Sequence, residues 1–368
     1  MSSLLAFIRR LSTCNNPPEM EKAPGPLRFG VLGAARIAPD AIVKPARNHE
    51  DVVVTAIAAR SQDRADAFAR QWGIPKAHGG SGAYQAQLPN SLHCEWTMKA
   101  LAAGKHVLCE KPIADNEEDT RKMFAFAAEK NLVLLEAWQV HFHPSLQRVK
   151  ELADDLGPIV NMSTYLGVWN SVFFLKDDIR FNYDLGGGAL MDMGPYPINC
   201  MRFLTAHEPS VHSASATLRT EKIDEKIETH LSFGPDAIPA TITTDSHLAG
   251  WGPLGLLPRW IQMVLRVECK EGVVEWSNYV LPHLYHSITV YPKEGGQWTE
   301  AAYKRRDGEG EEWWSAYRYQ LEAFVDKVRG RQPSVWRTAE DSIESMKAID
   351  AIYTKCGLPL RPTSQFIL

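Results

Sequence analysis

The chain lacks most of what marks a membrane, nucleic-acid or disulfide-held protein. No apolar run approaches the roughly 18 residues of a membrane-spanning helix. Basic residues are in no excess: 40 Lys and Arg stand against 44 Asp and Glu, a net charge of −4. A nucleic-acid backbone calls for a basic face, so that partner class drops out. Cysteine is sparse and scattered, at Cys14, Cys94, Cys109, Cys200, Cys269 and Cys356 with no C-x-x-C spacing. That excludes a disulfide framework or zinc knuckle and fits reduced thiols in the cytoplasm. Residues 1–16 (MSSLLAFIRRLSTCNN) contain no acid and carry Arg9 and Arg10. One reading is a mitochondrial presequence; the other, favoured by the early stop at Pro17-Pro18, is an arm packed on the body or a partner.

What is present is ordinary globular composition, 45% hydrophobic and 23% charged, in a chain of 368 residues that exceeds one core and implies two domains. After the arm (1–26), strand-like runs at 27–32, 52–59, 106–109 and 132–137 alternate with helical patterns beginning at Gly33 and at 63–72, 92–103 and 116–130. Such alternation implies βαβ units and a doubly wound parallel sheet over 27–143. Past Pro144 the texture changes to short strands separated by turns, an α+β domain over 144–368 with a large, mainly antiparallel sheet. Two helices close it, one with the stripe Trp314, Tyr317, Leu321, Phe324 and Val328, the other opening on a Thr338/Asp341 capping pattern.

Three stretches carry chemistry. Glu110-Lys111-Pro112 stands at the C-terminal tip of a parallel strand, where open α/β sheets gather ligands. Lys111 is there either as the ion-pair partner of Glu110 or as a reactive cation. The run from Gly30 through Gly33, Ala35, Arg36, Ile37 and Ala38 is a degraded G-x-G-x-x-G, with Ala35 and Ala38 where the second and third glycines belong. The second strand ends in Ala59-Arg60-Ser61, with Arg64 a turn later, where an NAD site would place an acid. An arginine pair and a hydroxyl suit a 2′-phosphate, so NADP is the expected cofactor. The third stretch is Gly186-Gly187-Gly188-Ala189-Leu190-Met191-Asp192-Met193-Gly194-Pro195-Tyr196. Asp192 and Tyr196 are four residues apart, hence on one face of a helix, as an acid/base pair or as a cap and a core phenol.

In this order, the nucleotide loop, A-G-K-H-V-L-x-E-K-P and G-G-G-A-L-x-D-x-G-x-Y resemble the Gfo/Idh/MocA oxidoreductase family, over residues from about 27 to the last helix. The resemblance is greatest to its NADP-dependent D-xylose 1-dehydrogenase and dimeric dihydrodiol dehydrogenase branches. It implies that Lys111 holds the reacting oxygen, Tyr196 is the general acid/base and Asp192 the motif acid. It places Asn199 where some relatives carry a second Asp, and puts Pro89, Asn90 and His93 beside the nicotinamide ribose. A cation beside Tyr196 is expected to lower its pKa. Trp138, Trp169, Phe173, Phe174 and Tyr183 are candidates to stack on a sugar or cyclic diol, and Asp177, Asp178 and Arg180 to bind its hydroxyls. His141 and His143 lack a third ligand, so no metal is expected.

The resemblance implies hydride transfer from C1 of an aldopyranose of D-xylose type to NADP, giving a lactone. Oxidation of a trans-dihydrodiol is the alternative within the enzyme class. A non-catalytic cofactor- or sugar-binding protein, or an inactive shortened isoform, is the alternative outside it. A homodimer is expected from the broad second-domain sheet. One departure from the family is large. Between Tyr84 and Leu88 the pattern calls for a crossover of about ten residues and a strand of about four to eight, and the chain has no room for them. The fourth parallel strand, which should run beside that of Lys111, is expected to be missing.

Overall fold

The computed structural model describes residues 2–80, 88–168, 178–248, 250 and 261–367. The chain divides into two compact units, Met1–Pro89 with Tyr303–Trp336, and Asn90–Ala302 with Arg337–Leu368.

In the first unit, β1 (Leu27–Leu32), β2 (Val52–Ala59) and β3 (Lys76–Gly79) form a parallel sheet in that order. The sequence of β2, VVVTAIAA, is rich in β-branched residues that fit a pleated surface. Its Ile57 joins Val43, Ala69 and Ile74 in a small core. The expected helix does not start at Gly33. Gly33 leaves β1 at φ +99, and a loop runs to a π-helical turn at Pro39–Val43 followed by a short α-helix, Lys44–Arg47. Proline at the first turn explains that start, since no donor is needed there. The helix Ala316–Val328 belongs to this unit, packing Leu321 and Val325 on Ala46 and Val52. The N-terminal arm packs on it too: Lys22 Nζ donates to the carbonyls of Ala46, Arg47 and His49 at 2.7–3.1 Å, satisfying the open end of the Lys44–Arg47 helix.

The second unit holds a parallel pair, β4 (Val107–Glu110) and β5 (Leu134–Ala137), with helices Asn90–Ala102 and Glu117–Glu129. Among the described residues it also holds an eight-stranded sheet of β6 (Ile159–Gly167), β7 (Pro209–Thr220), β8 (Ile223–Phe233), β9 (Ile238–Asp245), β10 (Gln262–Cys269), β11 (Gly272–Ser277), β12 (Ser287–Pro292) and β13 (Trp298–Glu300). Their order is β13-β12-β11-β10-β6-β9-β8-β7. That sheet is antiparallel except where β6 meets β9, as expected of the second domain. Helix Ala339–Lys355 opens on a complete capping box of Thr338 and Asp341.

These compact units part at Pro89 and Asn90, whereas residue 143 is where the sequence texture changes. Among the described residues the parallel sheet is in two pieces: β1 pairs only with β2, and β4 only with β5. With the ladder interrupted, side-chain packing decides where each piece belongs. Cys109, Ile113, Leu134 and Trp138 share one apolar core with Met162, Leu166, Ile198 and Val267 of the second domain. Residues 81–87, where the lost strand is expected, lie outside the described residues. No helix among the described residues is long and apolar enough to cross a membrane.

Candidate active site

Lys111 follows the last residue of β4, where the ladder ends at a cis Lys111–Pro112 bond. Its Nζ donates to Asp192 Oδ1 at 2.9 Å and to the Asp192 backbone carbonyl at 2.7 Å. The counter-ion of Lys111 is therefore Asp192. Glu110 instead turns Oε2 back to accept the Lys111 amide at 3.0 Å. Arg180 holds the other carboxylate oxygen, its Nε donating to Asp192 Oδ2 at 2.9 Å, while its Nη1 lies 3.1 Å from Asp178 Oδ1.

Asp192 rides on the helix Ala189–Met193, and Tyr196 on the next, Pro195–Thr205. The expected single helix is broken at Gly194, because Pro195 has no amide to donate. Gly194 keeps helical angles (φ −57, ψ −37), so the two side chains remain nearly in register. Lys111 Nζ sits 4.9 Å from the centre of the Tyr196 ring. Gly186 and Gly188, at φ +73 and +133, make the turn that delivers Asp192. A Cβ on Gly188 would collide with Asp224 Oδ1 and Arg361 Nη2, so neither its conformation nor its surroundings admit another residue.

The charges reinforce one another. Burial opposes ionisation of Asp192, but Arg180 and then Lys111 overcome it and hold the carboxyl well below its ordinary range. Burial likewise opposes the Lys111 cation, and the Asp192 carboxylate more than offsets that, so the amine's pKa is raised. Tyr196 departs from expectation. Burial raises its pKa, and the lowering by Lys111 is too small to reverse the sign.

A buried frame fixes the Lys111 turn. Glu136, in β5, accepts the Ile113 amide on Oε1 at 3.3 Å. Its other oxygen lies 2.9 Å from Arg337 Nη2, an ion pair with side chains only 2% and 1% exposed. His93 Nδ1 lies 2.8 Å from the Pro112 carbonyl oxygen.

In the first unit, Gly33 donates its amide to Ala58 at 2.8 Å, and Ala35, Arg36 and Ile37 form the loop beyond it. Arg60 and Arg64 are exposed at the end of β2 and in the first turn of helix Gln62–Trp72, whose N-cap is Ser61. Among the described residues neither guanidinium has a side-chain partner. Two unpaired cations and a hydroxyl at that strand tip are a fitting cradle for a phosphate.

Two family models match the chain: an oxidoreductase family with an NAD-binding Rossmann fold over residues 27–137, and the GFO/IDH/MocA C-terminal domain over 146–275. The chain belongs to the Gfo/Idh/MocA oxidoreductase family. It is 31% identical over 341 residues to D-xylose 1-dehydrogenase (NADP(+)) 2 of Haloferax volcanii, covering 89% of this chain and 96% of that one. It is 30% identical to a trans-1,2-dihydrobenzene-1,2-diol dehydrogenase of Xenopus tropicalis, over 70% of this chain and 82% of the relative. A 3-ketoreductase from Actinomadura kijaniata, solved with NADP and TDP-benzene, shares the fold at TM-score 0.75 and 25% identity, over 90% of this chain and 98% of that one.

Several residues assigned by resemblance have partners within the protein. Asn199 is 2% exposed, and its Oδ1 accepts from Arg202 and Arg337, both at 3.2 Å, which ties it into the buried frame of Arg337. Trp138 is fully buried beneath the Arg337 guanidinium, 5.2 Å from its ring, and has no surface on which a sugar could stack. His93 is 4% exposed and serves the Pro112 loop; Asn90 Nδ2 is spent on the Gly186 carbonyl at 2.9 Å. Pro89 is buried and closes the first segment of its unit. Arg180, expected to bind substrate hydroxyls, donates from Nε to Asp192 and is 32% exposed in its side chain. Trp169, Phe173, Phe174 and Asp177 lie outside the described residues. His143 caps the helix Pro144–Asp155, and His141 packs edge-on against Phe142 and Phe203.

Glu136, Arg337, Asp224 and Arg361 were not singled out from sequence. Glu136 had a signal: an acid in the otherwise apolar strand LVLLEA requires a buried partner. Arg361, in an irregular tail, had none.

Proposed function

We propose that the chain is an NADP-dependent dehydrogenase that oxidises the anomeric hydroxyl of an aldopyranose of D-xylose type to the lactone. The observation that carries this is the doubly contacted Lys111–Asp192 pair lying over the Tyr196 ring at the tip of a parallel strand. Arg60, Ser61 and Arg64 support NADP over NAD, and a D-xylose dehydrogenase among the relatives supports the sugar. Scattered, unpaired cysteines fit a cytoplasmic setting, and the broad sheet fits a homodimer.

Bound NADP supplies the hydride acceptor; the protein supplies charge and a proton acceptor. Lys111, kept cationic by Asp192, donates a hydrogen bond to the substrate oxygen and stabilises the negative charge that develops as the hydroxyl loses its proton. Tyr196, in its ionised phenolate form, takes that proton on Oη and becomes the neutral phenol. Arg180 keeps Asp192 ionised without occupying Lys111. Burial around the three side chains keeps their charges from being screened by water.

The direct test is a panel of aldoses and trans-dihydrodiols, each with NADP+ and NAD+, followed by NADPH or NADH absorbance. Turnover of D-xylose or a related aldopyranose with NADP+ is expected. Turnover confined to the dihydrodiols would move the assignment to that branch, and none with any substrate would favour a binding protein.

A further inference from the structure

The catalytic pair is assembled from two remote segments, the β4 tip with Lys111 and the glycine turn with Asp192, and one residue of the C-terminal tail touches that turn and the N-cap of the helix that follows the Lys111 loop. Arg361 donates from Nε and Nη2 to the Gly187 carbonyl at 2.8 and 2.6 Å, on the turn that leads into the Asp192 helix. Its own backbone carbonyl accepts from Asn116 Nδ2 at 3.2 Å, five residues beyond Lys111. The Arg361 charge is matched by Asp224 at 3.0 Å, an ion pair whose side chains are both 0% exposed. Asp224 is itself committed to the same turn. Its Oδ2 accepts the Leu190 amide at 2.7 Å, capping a helix whose own N-cap, Gly188, has no side chain to do so. Tyr353 Oη closes the cluster, 2.9 Å from both Asp224 Oδ1 and Arg361 Nη2.

We propose that Arg361, with Asp224 as its counter-charge, is a positioning residue for the Lys111–Asp192 pair, and that the tail carrying it is a clasp joining the two segments. Further tail contacts follow the same line. The Ser364 amide donates to Asp119 Oδ2 at 2.9 Å, and Lys122 Nζ to the Phe366 carbonyl at 2.8 Å, both on the helix that follows the Lys111 turn. A buried ion pair adds little net stability over apolar residues of equal size, so energy alone does not explain it. Holding Gly187 and Leu190 fixed does, because the Ala189–Met193 helix is too short to hold its own direction.

The inference rests on the proposed roles of Lys111 and Asp192, and its test has a readout that needs no turnover. The groups acting on Lys111 are Asp192, Tyr196 and Glu110, with Arg180 on the far oxygen of Asp192, so the reactivity of its amine reports how well Asp192 is seated. Arg361→Lys keeps the charge but cannot fork onto Gly187 and Asp224 together. In the full-length protein, acetylation of Lys111 by acetic anhydride at mildly alkaline pH, read by peptide mass spectrometry, should become about tenfold faster, the change in free amine that accompanies a fall of one pH unit in its midpoint. Turnover should fall about tenfold while KM for NADP+ stays within about twofold. If Arg361→Lys does not fold, Tyr353→Phe removes one hydroxyl from the cluster and should accelerate the labelling in the same direction, by less. Wild-type labelling in a folded variant overturns the clasp, whatever the turnover. Retained turnover in Lys111→Ala would instead overturn the chemistry proposed above.

Discussion

Lys111 and Asp192 meet twice, through side chain and main chain: Nζ donates to Oδ1 at 2.9 Å and to the backbone carbonyl at 2.7 Å. The second contact fixes where the ammonium points as well as its charge. An ion pair kept only for stability needs no such bond. The arrangement leaves a cation aimed and ionised beside a phenol, which is what oxidation of a hydroxyl requires.

Asp192→Asn separates these contributions, since it keeps the backbone carbonyl and removes the charge. The Lys111 amine should then lose its proton at lower pH, moving the alkaline limb of kcat downward, with kcat itself reduced about 10- to 100-fold. The wild-type carboxyl has a depressed pKa. Its contribution to stability is thus fully present above the unfolded value of about 3.9 and lost as pH falls toward the lower folded value. Acid titrations followed by circular dichroism should show this loss in the wild type and not in Asp192→Asn.

Tyr196→Phe keeps the buried ring and removes the proton acceptor. Because burial raises the Tyr196 pKa, the phenol is protonated at neutral pH and oxidation should quicken as pH rises into the alkaline range. The variant should lose about 10²- to 10⁴-fold in kcat and show a flattened profile, with KM for NADP+ and the melting temperature little changed.

Arg60→Ala tests the cofactor assignment at the end of β2. Loss of a charged hydrogen bond to phosphate is worth about 1.5–3 kcal/mol, so KM for NADP+ should rise about 10- to 100-fold. KM for NAD+, which lacks that phosphate, should stay within about twofold.

The Glu136–Arg337 pair is framework, and its variants should be read in stability. Glu136→Gln or Arg337→Met alone leaves one buried charge uncompensated and should cost about 3–5 kcal/mol in urea unfolding. Changing both together should cost less than either alone, the signature of a pair whose attraction largely offsets its own desolvation.

The motifs that carry the chemistry were legible because each is local. Lys111 and Pro112 are neighbours at a strand tip, and Asp192 and Tyr196 are one helical turn apart, so short-range geometry grouped them, while the family resemblance gave them their expected roles. Asn199 is a turn beyond Tyr196 and looked equally well placed. Its partners, Arg202 and Arg337, were not legible, because no spacing rule could pair residue 199 with residue 337. The main strands of the second domain were legible from alternation, whereas β3 was not. KAHG has no apolar run and is a strand only because its backbone completes the ladder of β2. The helix Pro144–Asp155 was hidden by its opening proline, which signals a break in sequence and a first turn in structure.

The central claim is that Lys111 is chemical and not merely an ion-pair partner of Asp192. The most direct measurement is kcat of Lys111→Ala with D-xylose or the best aldose of the panel, alongside NADPH affinity by fluorescence titration. We predict turnover reduced by at least about 10²-fold with NADPH binding retained within a few-fold. Turnover equal to wild type in that variant would contradict the account.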